Sequence, residues 1–269
     1  MAQQISPWVL LRLGANVLAI ESALVRDMLI LPACVPIPLS GPDVRGMVTL
    51  RNQAVPVVDL RRALGMPSLQ DEQQALIATL AERAEDHKRW VAELDEAVTE
   101  RRPFTLTLDP HACKFGKWYD SFKTSSIVLE GHLKRFDAPH KAIHALGEQV
   151  MTLARAGKDA DAHALVAQAR QTTLASLLQL FAQTPQIFEE MNREMLLVLR
   201  DGQQMLGITA DSVESVEPLR LDSMAPIELG AGAANGLVCR TAKTARNETL
   251  LLVLEGRALL ERFSERKAA

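Results

Sequence analysis

Residues 8 to 21 read W-V-L-L-R-L-G-A-N-V-L-A-I-E, two short apolar runs on either side of Gly14-Ala15-Asn16. That pattern predicts a β-hairpin. The proline-rich passage from Pro32 to Pro42 is incompatible with helix. Gly46 to Gly65 then predicts two strands joined near Asn52-Gln53, followed by a short helix with Asp59 as its N-cap. Pro56, which cannot donate to a ladder, predicts an edge or irregular strand.

The pattern changes near residue 68. Gly and Pro become scarce, and Leu76, Leu80, His87, Trp90 and Leu94 fall on one broad face of a long helix. A break is expected from Pro103 to Pro110, and a helix starting at Cys113 and ending by Phe122. Ser126 to Phe136 predicts another, and Pro139 lies at the N-terminal end of the next, which Gly157 closes. Asp159 or Asp161 caps the last helix, expected to run to about Gln183. Leu153, Leu165, Leu174, Leu177, Leu178 and Leu180 form a sided stripe, the core of an antiparallel bundle.

Strand patterning then returns. Met195 to Ile208 predicts a hairpin around Asp201-Gly202. Val213–Val216, Leu237–Arg240 and Thr249–Leu254 are further strands, and Gly256 to Phe263 is a terminal helix. The hairpins L-R-L-G-A-N-V-L-A-I and L-V-L-R-D-G-Q-Q-M-L-G-I resemble each other. One β domain split by a helical insertion accounts for this order. A bundle with an even number of main helices returns the chain to the end where it began, so it fits into a loop.

Composition adds exclusions. The 269 residues are enough for one large domain or two ordinary ones. With 4% aromatic residues, the cores must come from Leu, Val, Ile and Ala. A net charge of -3 without a basic stripe gives no footprint for nucleic acid. The first residues lack a charged region followed by an apolar run, so no signal peptide is expected. No apolar run approaches the roughly 18 residues of a membrane span. Three distant cysteines make no disulfide framework; Cys34 and Cys239 are expected as buried thiols in a reducing cytoplasm.

Cys113 differs from them by its company. It sits in D-P-H-A-C-K-F-G-K-W-Y, residues 109 to 119. Upstream is H-K-R-W-V-A-E-L, from His87, and downstream is P-H-K-A-I-H, which puts His140 and His144 one helical turn apart. His87, Cys113, His140 and His144 supply three imidazoles and one thiolate, a full tetrahedral shell for zinc. His111 is close enough to Cys113 to displace a ligand, and is read as a loop or supporting residue. Asp86 precedes His87 and is a candidate support for it, although adjacent helical residues do not face each other. His132 and His163 read as solvated helix residues.

In order, H-x-x-W-x-x-x-L, C-K-F-G-K-W-Y and H-x-x-x-H resemble the chemoreceptor zinc-binding (CZB) domain over roughly residues 68 to 191. The resemblance implies zinc held by His87, Cys113, His140 and His144. It implies packing roles for Trp90, Phe115, Trp118 and Tyr119, and reaction of Cys113 with hypochlorous acid. The flanks, with V-R-G-M-V-T-L-R-N-Q-A-V-P-V-V-D-L-R-R-A-L-G and L-G-I-T-A-D-S-V-E-S-V, are similar to the CheW-like chemotaxis adaptor family. That resemblance implies two small five-stranded β barrels and partner contacts at Arg51 and Asp27. Asp27 stands where glutamate is more usual, and Asn52 where the family has glycine. Read without the family, Arg51 is a solvated hairpin arginine.

The expected fold is α+β. A discontinuous CheW-like domain, residues 1–67 and 192–269, is interrupted by an antiparallel four-helix zinc-binding bundle at 68–191. The expected function is a cytoplasmic chemotaxis signal-transduction adaptor that senses zinc or redox state. Its partners would be chemoreceptor cytoplasmic tips, a CheA-type histidine kinase or other CheW-like domains, and a second copy through the helical domain. A static scaffold stapled by zinc is the alternative. A zinc hydrolase fits poorly: residue 141 is Lys where H-E-x-x-H needs a glutamate base, and four protein ligands leave no place for an activated water. The chain has no phosphate-binding glycine loop, Ser-His-Asp arrangement or paired-carboxylate site, so no enzymatic activity is expected.

Overall fold

The computed structural model describes residues 7–124, 126–191, 193–219, 225–226, 236–244 and 250–265. Asn192 and Thr249, at the edges of expected segments, lie outside these, as does the side chain of Cys239. The chain divides into two compact units, Met1–Asp71 with Arg193–Ala269, and Glu72–Asn192.

The first unit is built on two sheets. Before the helices come β1 (Pro7–Leu13), β2 (Asn16–Glu21), β3 (Val25–Ile30), β4 (Val44–Leu50) and β5 (Gln53–Val58), then the short helix α1 (Leu60–Ala63). After them come β6 (Met195–Asp201), β7 (Gln204–Ala210), β8 (Ser212–Pro218), β9 (Ala225–Pro226), β10 (Val238–Lys243), β11 (Leu250–Leu254) and the helix Gly256–Glu265. The sheets run β8-β1-β2-β11-β10-β9 and β3-β6-β7-β5-β4. Each therefore interleaves strands from both sides of the insertion, and neither half of the chain completes a sheet by itself.

Strands β1, β2, β6 and β7 are buried on both faces, as strands between two packed layers must be. Along β1, Val9, Leu11 and Leu13 join a cluster with Leu197, Leu199 and Ile208 of the other sheet. The alternate residues Trp8 and Leu10 join a second cluster with Leu251 and Val253. Leu196 and Val198 point the other way from their neighbours into a third, with Val48, Val55 and Val57.

Several expectations are corrected here. One sheet has six strands rather than five, because two-residue β9 pairs with β10. Strand β5 lies inside its sheet, not at an edge. Pro56 is tolerated because the parallel pairing with β7 begins one residue later, at Val57↔Gly207. Cys34 is only partly buried.

An ion pair joins the two halves of this unit. Arg61 of α1, 2% exposed, donates from Nε and Nη2 to the two carboxylate oxygens of Asp211, which follows β7. Asp211 Oδ2 also accepts from the Gly14 amide in the β1–β2 turn, at 2.6 Å.

The second unit is helical: α2 (Leu69–Thr99), α3 (Lys114–Ser121), α4 (Ile127–Lys134), α5 (Asp137–Arg155), α6 (Asp159–Ala169) and α7 (Ala175–Met191). Ser68 and Asp71 each accept a hydrogen bond from the other's amide at the start of α2, a reciprocal cap. α2 buries Leu80, His87, Trp90, Val91, Leu94, Ala97 and Val98, one continuous stripe. α5 packs on α6 and α7, and α4 on α7.

Two helix-end expectations change. Lys158 occupies the N-cap of α6 without a side-chain bond, while Asp159 begins the helix and accepts from Arg101. A π turn at Arg170–Leu174 joins α6 to α7, which runs through Pro185 to Met191 rather than stopping at Gln183. Pro185 forfeits one helical hydrogen bond, but burial of Phe188 and packing of Ile187 on the same core hold the helix beyond it.

Asp211→Ala should destabilise the β unit by about 3 kcal/mol, because it removes both carboxylate bonds of the buried Arg61 guanidinium. Arg12→Ala removes only the exposed pair with Glu214, so its expected cost is under about 1 kcal/mol. Chemical denaturation of both variants checks the difference; equal midpoints would show that the Arg61 pair is dispensable.

Candidate metal centre

His87 lies in the middle of the buried stripe of α2, so its ring faces the helical core. His140 and His144 occupy successive turns of α5, with Pro139 in its first turn. Cys113 is the N-cap of α3, in extended conformation, and its Sγ accepts the Gly116 amide at 3.1 Å. A side chain at Gly116 would put Cβ 1.8 Å from the Pro110 carbonyl oxygen, so only glycine lets this turn close. Gly147 does the same for α5, which passes where a Cβ would sit 2.8 Å from the Trp90 ring.

These elements bring the four side chains together. One nitrogen from each histidine and the Cys113 sulfur all lie within 4.8 Å of one another. The three imidazoles are no more than 5% exposed, and the Cys113 sulfur is 3.2 Å from His140 Nε2.

Backbone carbonyls set the ring orientations. His87 Nδ1 donates to Arg83 O at 2.7 Å, and His144 Nδ1 to Thr107 O at 3.2 Å. Both rings therefore present an unprotonated Nε2 to the cluster, and both Nε2 atoms are buried without a hydrogen-bond partner. Burial, reinforced by the neighbouring rings, pushes His140 down to about 3 and His144 to about 4; burial also lowers His87. All three are neutral at pH 7, the form that binds metal. Burial pushes the Cys113 thiol up, and the amides of Gly116 and Phe115 pull it partly back. Orphaned nitrogens, fixed tautomers and a donor set of three nitrogens and one sulfur fit a tetrahedral zinc ion.

Trp90 and Phe115 touch the cluster directly. Trp90 donates from Nε1 to the same Thr107 carbonyl at 2.9 Å, and its ring lies 5.2 Å from that of His144. Phe115 is edge-on to His87 and His140. The rings of Trp118 and Tyr119 pack against that of Phe115. Sequence reasoning missed the carbonyls of Arg83 and Thr107 and the rings of Phe136 and Phe181, which back Phe115. Arg83 was within reach of helical spacing, being four residues before His87; Thr107 had no signal.

The other expected residues fall elsewhere. His111 bonds Asp120 on the surface and stays out of the cluster. Asp86 is held by Arg83 and Arg89, and the Arg83 carbonyl supports His87 instead. His163 pairs with Asp95. His132 is not solvated: it is buried, with Nε2 3.1 Å from Leu180 O and 3.2 Å from Thr184 Oγ1. In the β unit, Arg51 and Asp27 bond each other at 2.8 Å, with the Arg51 side chain 74% exposed. Arg51 and Asn52 both have positive φ, 47° and 63°, a turn that suits asparagine well.

Comparison with known families finds two matches. The profile of the CheW-like domain matches residues 7–102, and that of the chemoreceptor zinc-binding domain matches residues 87–151. The chain thus carries both a CheW-like domain and a CZB domain, and the second match contains all four clustered residues. The crystal structure of the scaffolding protein TtCheW from Thermoanaerobacter tengcongensis aligns with a TM-score of 0.44 at 11% identity, over 94% of this chain and 90% of that one. No curated protein matches the chain. Among the described residues, no helix is long and apolar enough to cross a membrane.

Zinc added to the metal-free protein should saturate at one ion per chain and release close to one proton at pH 7, since only the thiol has a proton to lose. Calorimetric titration in two buffers of different ionisation enthalpy measures this. Cys113→Ala and His144→Ala should each weaken uptake, and His163→Ala should not. Full occupancy in the double variant would refute the site.

Proposed function

We propose that the chain is a cytoplasmic chemotaxis adaptor whose CheW-like body couples chemoreceptor tips to a CheA-type kinase, or docks on another CheW-like domain, under control of an inserted zinc site. In this reading the body is residues 1–67 and 192–269, folded as two small barrels. The insertion, residues 68–191, is a four-helix zinc-binding bundle that also serves for self-association. The observation that carries it is the interleaving of strands from both flanks around a separate helical unit that holds a three-His, one-Cys cluster. Zinc would be held by His87, Cys113, His140 and His144. The chain passes between the units at residues 71–72 and 192–193, so strain in the bundle has two covalent routes to the body.

Cys113 is the sensing residue in this proposal. It alone among the four is partly exposed, and it sits at a helix cap rather than inside a helix. Hypochlorous acid takes two electrons from the sulfur, chlorine leaves as chloride, and the sulfur becomes a sulfenic acid reducible by thiols. A sulfenic sulfur is a weaker donor than a thiolate, and α3 is then freed to shift against α2 and α5. Burial of the three imidazoles favours the alternative, a zinc ion that only staples the bundle, and the experiments below separate the two.

Arg51→Glu should weaken binding to a receptor tip or to the kinase's regulatory domain while thermal unfolding stays unchanged, because the exposed Arg51–Asp27 pair carries little stability. Unchanged affinity would make Arg51 a plain solvated residue.

Mild hypochlorous acid should change partner affinity by roughly 5- to 150-fold, the span of typical allosteric couplings, in the wild type and not in Cys113→Ser. An equal change in both proteins would remove Cys113 as the sensor; no change in either would establish the static scaffold.

A further inference from the structure

The four clustered residues are not equally reachable. Phe115 and Phe181 cover His87, Phe115 covers His140, and the Trp90 ring covers His144. On the remaining side a cleft of about 700 Å³ opens between α2 and the segment from Leu106 to Phe115. His87, His144 and Cys113 all border it, and His140 does not. Of the three, only Cys113 is partly exposed. The rest of the wall is chiefly apolar, with Trp90, Ala92, Leu106 and Ala112. Its acids are already engaged, Asp86 by Arg89, and Glu93 and Glu96 by Arg102.

We propose that this cleft is the route by which small molecules reach the cluster. Metal chelators and thiol reagents pass between Ala92 and Leu106 and meet Cys113 first, and the imidazoles only afterwards. The volume is that of a small-molecule site, roughly 300–1,000 Å³. It is far too small for a folded metal carrier, so the reactants it admits are small solutes. The zinc-exchange half of this proposal rests on the reading of the cluster as a metal centre; the thiol half stands without it. The competing route is local unfolding of the helices, which would expose Cys113 independently of the cleft's width.

Two substitutions change the width in opposite senses. Ala92 is exposed on α2, away from the buried stripe, so Ala92→Trp narrows the cleft and spares the core. Leu106 is 42% exposed, and Leu106→Ala widens it. The first readout is alkylation of the metal-free full-length chain by iodoacetamide: the Cys113 thiolate displaces iodide and a sulfur–carbon bond forms. Modification is measured by mass at the Cys113 peptide, with Cys34 as internal reference. The second is the rate of zinc loss from the loaded chain to excess chelator.

Several-fold slower alkylation and zinc loss in Ala92→Trp, and several-fold faster in Leu106→Ala, with Cys34 unchanged, is the expected result. Unchanged Cys113 rates, or rates moving in the same direction in both variants, would overturn the route. A chain that takes up no zinc would remove the metal reading, while the alkylation rates still decide the path.

Discussion

Two buried imidazole nitrogens without partners, Nε2 of His87 and Nε2 of His144, set the terms for the helical unit. A buried polar atom left unsatisfied costs about 1–3 kcal/mol, and here two of them face one small space. Their other nitrogens are committed to carbonyls of Arg83 and Thr107, so neither ring can turn to relieve the loss without breaking a hydrogen bond. The chain has spent its flexibility on orienting donors toward a point that a cation would occupy. Gly116 and Gly147 belong to the same design, because each lets backbone or ring approach where any side chain would collide.

The sequence makes side-chain chemistry legible and backbone chemistry much less so. His140 and His144 declare a shared face by their spacing, and Cys113 beside Phe115, Gly116 and Trp118 declares a turn into a helix. Thr107 is different: its contribution is a carbonyl that serves residues 17 and 37 positions away, and nothing about threonine announces it. His132 shows a second limit. Its helix, α4, is only eight residues long, too short for periodicity to choose the buried face, and the partner carbonyl at Leu180 lies 48 residues on. Pro185 shows a third. Local propensity stops the helix there, and packing of Phe188 overrides it, a tertiary term that pattern reading does not contain.

In the β unit the strand positions were readable from alternation and turn residues, because each hairpin is local. The pairing between halves was not. β2 lies parallel to β11 and β5 parallel to β7, contacts that span the whole insertion and have no local signature. Arg61 and Asp211 illustrate this: 150 residues apart, they meet as a buried pair that a linear reading sees as two ordinary charged residues.

The interleaved sheets also dictate what happens while the chain is being made. Strands β1 to β5 leave the ribosome before any of the neighbours that join them across the insertion exists, and β1 and β2 are apolar on both faces. At roughly 5–20 residues per second, synthesis of the helical insertion occupies on the order of ten seconds before β6 appears. During that interval the nascent chain carries unpaired strand edges, the surfaces most prone to stick to other chains. The helical unit, contiguous in sequence, is free to fold in the meantime. The β body is begun before the insertion and completed only after it, so its early strands wait for their partners throughout that interval.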